Sequence, residues 1–243
     1  GNGIWTHSRF DAPRNRDGVI EENRFDTLAR DAIQVGHAVN VRVERNSGAR
    51  IGYPVELVDM ESGAIPVAID TAGDTERFLY ADNRFEEING KCIDLDGFHH
   101  GEIRGNRFVN RGPPEAYPYA NVGIVFNDSH PHTRSDSITV TGNRLEGLLY
   151  TGMFVIGPGH TIVNNRFLNL NRARCNDSRA RFGCYNPAGD PQLLETGIYL
   201  GRGVLRPNPA RNSRIENNRI TGYKMGDRCI AAAPGVELAG IRI

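Results

Sequence analysis

Apolar and polar residues alternate along this chain only over short spans, and the spans recur. Ile103 stands between Glu102 and Arg104, Ile93 and Leu95 flank Asp94, and Phe108 follows Arg107. Alternation with period two marks a strand with one buried face, and no span carries a helical stripe of useful length. The spans keep step with two recurring words. The first is built on Asn23, Asn83, Asn106, Asn143, Asn165 and Asn218, each followed by Arg and an apolar residue, with a degenerate copy at Asn46. Successive gaps are 23, 37, 23, 37, 22 and 53 residues, a base period of 22 to 23 broken by insertions. The second word is a small residue, an apolar one, any residue and another apolar one, as in Ala32 to Val35, Cys92 to Leu95, Gly123 to Phe126 and Gly197 to Leu200. Val67 to Asp70 fits it one residue out of step.

Three short strands per period, separated by Gly and Asn bends, predict an all-β solenoid: a parallel β-helix of about eight coils. A leucine-rich horseshoe would need a regular leucine word and a helix-like back, and neither is present. Ile33, Ile93, Leu95, Ile103, Phe108, Ile124, Phe126, Val155, Ile162, Phe167, Ile198 and Ile215 are expected to share one core. The recurring Asn suits a left-handed bend, and its amide can bond to its neighbours in the stack.

Composition narrows the function classes. The 243 residues fit one solenoid domain, residues 1–243. A formal net charge of zero offers no reason to expect nucleic acid or an anionic membrane as partner. No apolar run approaches the roughly 18 residues a spanning helix needs. The first six residues already lie inside a repeat and the chain stops where the next Asn is due, so a longer polypeptide with caps of its own is expected. Cys92 and Cys229 occupy one repeat position about four coils apart, roughly 19 Å at the strand spacing, which is beyond disulfide reach. Cys175 and Cys184 share one insertion and are expected to pair rather than remain free thiols, as suits an exported protein.

The N-R-F and G-I-x-apolar words resemble those of the right-handed parallel β-helix superfamily, which includes pectate lyases, polygalacturonases, alginate lyases, mannuronan epimerases and phage tailspikes. The resemblance covers essentially the whole chain. It implies a secreted or periplasmic protein whose partner is a polysaccharide or oligosaccharide, bound in a groove on the outer face of one sheet. It does not choose a reaction. Gly159-His160 is followed by Thr161 and Arg214-Ile215 by Glu216, which departs from the polygalacturonase pattern. The aspartate-proline-histidine motif of the epimerases is missing, and Lys91 and Arg104 match no lyase signature.

Alternation sends one series outward from the second word: Trp5, Gln34, Asp70, Asp94, Val125, Phe154, Tyr199 and Ala231, with His7, Asp96 and Asn127 at the strand end. Aromatic faces stack on sugar C–H faces and carboxylates accept from hydroxyls, so the series reads as a saccharide groove. Asp70, Asp94, Asp96, His99 and His100 are the catalytic candidates. Paired carboxylates can act as acid and base on a glycosidic bond, or Asp94 and Asp96 can hold Ca²⁺, while a nearby histidine relays a proton. The bland reading is an Asp-Gly turn with solvated histidines. Trp5, Asn127, His130, His132, Phe154 and Tyr199 are the substrate-binding candidates, with insertions near residues 48–63, 112–121, 129–136 and 171–195 as walls that bring in Tyr117 and Tyr119. A second column, from Arg24 through Arg84, Arg107, Arg144 and Arg166 to Arg219, is read as structural, neutralised by Asp26, Glu86 and Glu146. The expected function is a carbohydrate-active enzyme that cuts a glycosidic bond by hydrolysis or β-elimination. The alternative is a non-catalytic glycan-binding solenoid such as an adhesin, a tailspike-like module or a surface scaffold.

Overall fold

A computed structural model describes residues 1–9, 12–58, 60, 64–178, 183–184, 190 and 192–243. All its strand pairs are parallel. The first sheet stacks Ile4–Thr6, Ile33–Val35, Val67–Glu76, Lys91–His99, Ile124–Asn127, Met153–Val155, Ile198–Leu200 and Ile230–Ala232, eight rungs in chain order. Two further sheets of seven strands each complete the coil: sheet 2 holds strands such as Glu102–Arg104, and sheet 3 strands such as Arg107–Val109. Among the described residues there is no α-helix. Each coil therefore runs sheet 1, sheet 2, sheet 3 and back, and parallel crossovers of this kind wind right-handed.

The core lies inside this triangle. All twelve residues expected there belong to one cluster and are at most 1% exposed. On sheet 3 the inward rings stack along the axis, Phe25 on Phe85 at 6.2 Å and Phe85 on Phe108 at 6.0 Å between centroids. Gly48 lies on the rung between Phe25 and Phe85, and a Cβ there would sit 2.7 Å from the Phe85 ring. The gap in the aromatic column is what lets those two rings approach.

The asparagine word forms the bend between sheets 2 and 3. From Asn23 through Asn46, Asn83, Asn106, Asn143 and Asn165 to Asn218, the backbone N–H and Nδ2 of each residue donate to Oδ1 of the next, at 2.8–3.0 Å. The left-handed conformation expected of these asparagines falls one residue earlier, on Glu22, Arg45, Asp82, Gly105, Gly142, Asn164 and Asn217, with φ of 53° to 66°. The preceding residue turns the chain, which aims the Asn side chain along the stack instead of out of it.

Candidate active site on the first sheet

The outward column of sheet 1 runs Trp5, Gln34, Asp70, Asp94, Val125, Phe154, Tyr199 and Ala231, each paired with the next. Asp70 and Asp94 thus occupy adjacent rungs, only 9% and 7% exposed. Asn2 donates to Gln34 at 2.7 Å, and Gln34 Nε2 donates to Asp70 Oδ2 at 2.9 Å. Lys91, on the same strand as Asp94, places its ammonium on Asp94 Oδ2, while Asp94 Oδ1 is buried without a partner. Asp31 completes the group. It is buried, it accepts the Val67 N–H at 2.8 Å, and its carboxylate lies 3.9 Å from Arg30.

The electrostatics separate these carboxyls. Burial first, then the charges of Asp94 and Asp31, hold Asp70 well above the usual carboxylate range. Burial pushes Asp31 up to about 6. Burial alone would pull Lys91 down, but the Asp94 charge and hydrogen bond outweigh it, so Lys91 is a firm cation. Asp96, raised mainly by burial, accepts from both the backbone N–H and the hydroxyl of Ser129 and thereby anchors the loop that follows Asn127. Ca²⁺ does not fit here. It needs six to eight oxygen ligands, whereas Lys91 already holds one Asp94 oxygen and Ser129 takes both oxygens of Asp96.

Beyond Asp96 the same strand bulges and ends at His99, with His100 just past it. His99 is fully buried and its Nε2 lies 2.9 Å from Asp74 Oδ1. His100 is half exposed, with its Nδ1 3.0 Å from His99 Nδ1 and 3.3 Å from Asp136 Oδ1. Burial lowers the His99 pKa.

The chain folds as a parallel β-helix. Among solved structures it is similar to DFA-IIIase from Arthrobacter chlorophenolicus A6 in complex with GF2, with 13% identity and a TM-score of 0.48 over 88% of this chain and 52% of that one. The same enzyme without its lid gives 14% identity and a TM-score of 0.49 over 88% and 51%. Alginate lyase from Paenibacillus sp. str. FPU-7 gives 9% identity and a TM-score of 0.36 over 89% and 78%. The chain spans about half the length of the DFA-IIIase chains. No protein-family model and no curated protein sequence matches it.

Loops border both long edges of sheet 1 of this β-helix. Residues 112–121 lie in the turn that enters it from sheet 3, and residues 128–136 and 201–210 in the turns that leave it for sheet 2. Arg206 ties the latter two together, donating to the carbonyls of Pro131 and Thr133 and lying 3.6 Å from Asp128. At the first coils an open cleft of about 530 Å³ is lined by Trp5, His7, Gln34, His37 and Ala72. Trp5 is 61% exposed and meets His7 edge-on at 5.1 Å.

The substrate-binding candidates divide. Trp5 stands free at one end. Asn127 pairs with Asp96, and the rings of His130 and His132 lie 5.1 Å apart on the loop beside it. Phe154 is half buried and stacks on Tyr199 at 6.4 Å, but Tyr199 is 1% exposed with its hydroxyl donating to Asp190 at 3.0 Å, so it offers no face to a ligand. Tyr117 is likewise no wall. It is buried in a satellite core with Leu149, Tyr150 and Leu194, where Cys175 and Cys184 form a disulfide. His160 packs on Phe126 at 4.8 Å and bonds to the Ile156 carbonyl at 2.8 Å, a core histidine whose pKa burial lowers to about 4. Asp31 and Asp74 stand beside the candidate carboxyls and His99, and the residue pattern did not single them out. Aligning the coils would have found Asp31, which stands two residues before Ile33 as Lys91 stands two before Ile93.

Proposed function

We propose that the chain binds an oligosaccharide or polysaccharide across sheet 1 and hydrolyses a glycosidic bond there, outside the reducing cytoplasm. The observation that carries this reading is the opposite treatment of two neighbouring carboxyls: burial and like charge hold Asp70 well above the usual carboxylate range, while the Lys91 ammonium sits on Asp94 Oδ2. One carboxylic acid beside one carboxylate is the pair a glycosidase uses. A proton on Asp70 would also supply the donor that the buried Asp94 Oδ1 lacks.

In this reading Asp70, steadied by Gln34, gives its proton to the leaving-group oxygen as the glycosidic C–O bond breaks. Asp94 attaches to the anomeric carbon. Water then gives its proton to the Asp70 carboxylate and displaces Asp94, restoring both groups. A nucleophilic Asp94 beside an acid Asp70 is the retaining arrangement, and its expected product keeps the anomeric configuration. Trp5 offers the exposed ring on which a sugar face stacks, and the loops on both edges of the sheet confine the chain. β-Elimination fits less well, because Lys91 is protonated and cannot serve as the base.

The test is release of reducing ends from a panel of neutral and uronic-acid glycans, with anomeric configuration followed by NMR. Turnover without unsaturated products is expected, and Asp70→Asn and Asp94→Asn should each reduce it by about 10² or more in chains that still melt cooperatively. Unsaturated product, or turnover that survives Asp70→Asn, overturns the reading. Binding by every variant without turnover by the parent leaves the non-catalytic glycan-binding module.

A further inference from the structure

We propose that His99, His100 and Asp136 form a binding site for a divalent transition metal of the zinc type, with Asp74 orienting His99 from behind. The site is independent of any reaction on Asp70 and Asp94.

Adjacent residues of a strand point to opposite faces, so two successive histidines should part. Here the strand bulges between Asp96 and Phe98, and His100 takes a left-handed φ of 51°. The result is that both Nδ1 atoms face each other at 3.0 Å. Asp136 comes from the next coil, where it bridges to His99 through the backbone and accepts the His100 N–H at 3.1 Å. The three ligand atoms lie within 4.8 Å of one another.

The hydrogen-bond geometry suits a metal. Asp74 Oδ1 faces His99 Nε2 at 2.9 Å, and Arg14 holds the other Asp74 oxygen at 3.1 Å. A carboxylate in that position puts the ring proton on Nε2 and leaves the lone pair on Nδ1, the arrangement seen behind metal-bound histidines. His100 carries at most one proton on Nδ1, and that proton cannot serve both His99 Nδ1 and Asp136 Oδ1. A cation at the centre serves all three atoms. With bonds of about 2.0–2.1 Å, a tetrahedral ion sets its ligands roughly 3.3 Å apart, close to the 3.0 and 3.3 Å found here. Two imidazoles and one carboxylate select zinc-like ions over Ca²⁺ or Mg²⁺. Arg134 lies 3.7 Å from the second Asp136 oxygen, and the half-exposed His100 leaves the fourth position open to water or a ligand hydroxyl.

The experiment is calorimetric titration of the chelator-stripped chain, free of any histidine tag, with Zn²⁺, together with the visible spectrum of the Co²⁺ form. One ion per chain and a four-coordinate Co²⁺ spectrum are expected. His100→Gly, which the left-handed backbone accepts without strain, should weaken binding at least tenfold, and Asp74→Asn by about 10- to 100-fold. His132→Ala on the nearby loop should leave binding unchanged. No one-to-one binding, or binding that survives His100→Gly and Asp136→Asn but is lost with His132→Ala, overturns the assignment.

Discussion

At the bend between sheets 2 and 3 an asparagine column climbs the solenoid with the same rise as the Gln34, Asp70 and Asp94 column on sheet 1, and the two meet opposite electrostatic fates. An amide carries both a donor and an acceptor, so each Asn satisfies the next and the column gains a link with every coil. A carboxylate only accepts. Where Gln34 stands below Asp70 the amide donates and the contact is good, but where Asp70 meets Asp94 two acceptors face each other in a buried place. The fold eases that conflict by raising the Asp70 pKa and placing the Lys91 ammonium on Asp94. A repeat that stabilises by copying one neutral residue becomes an unequal pair of carboxyls when the copies change to acids.

Exchanging the two chemistries tests the comparison. The largest effect should come from Asn106→Asp, which removes the donors to the Tyr80 carbonyl and to Asn143 and places a charge in the stack. Urea unfolding should show a loss of about 3–5 kcal/mol; a loss under about 1 kcal/mol would mean the column contributes little.

The next effect depends on pH. Asp31 rises from 3.8 to about 6, so between those values the folded chain binds more protons than the unfolded chain, and this group's contribution falls as pH rises. The change amounts to about 3 kcal/mol. His160 acts with the opposite sign over nearly the same range. It is kept neutral by burial, with its pKa lowered from 6.5 to about 4, and stability is lost as pH falls through that window. These two contributions offset each other, so Asp31→Asn, which leaves the His160 contribution in place, should lose more stability on acidification than the parent. Denaturation at pH 4 and pH 7 distinguishes a flat variant profile from this expectation.

The reciprocal exchange, Asp70→Asn, should stabilise the chain by about 1–2 kcal/mol at neutral pH, because it replaces a costly buried carboxyl with an amide; destabilisation would place the strain elsewhere. The smallest effect belongs to sheet 3. Arg84, Arg107, Arg144, Arg166 and Arg219 stand in register, but Arg144 pairs with Glu146 at 2.7 Å within its own strand, while Asp26 and Glu86 pair with Arg50 and Arg111 outside the column. Arg107→Ala with Arg144→Ala should shift stability by less than about 0.5 kcal/mol per site and leave glycan retention on an affinity column intact. Lost retention would move the binding face to sheet 3.

Much of this was legible in order along the chain. The alternation around Ile93 and Ile103 identified the strands, and the spacing from Asn83 to Asn106 measured one coil. The outward column, Asp70 included, follows from those two facts, because the side-chain period of a strand is two and parallel stacking repeats it without slippage. The sequence also held a cysteine pair confined to one insertion.

What it did not hold is which outward positions stay outward. Tyr199 and Trp5 share one column, yet Asp190 caps the first and the second lies open. Tyr117 belongs to a wall by its place in the chain but is drawn under by Glu87 and the Gly112 N–H. The partners of the carboxyls and of His99, namely Asp31, Gln34 and Asp74, come from rungs 25 to 63 residues away. Local pattern reports how a backbone alternates, since that depends on neighbours in sequence. Burial, proton sharing and ion pairing depend on which loop covers a rung and which residue occupies the coil beside it, and only the wound chain decides those.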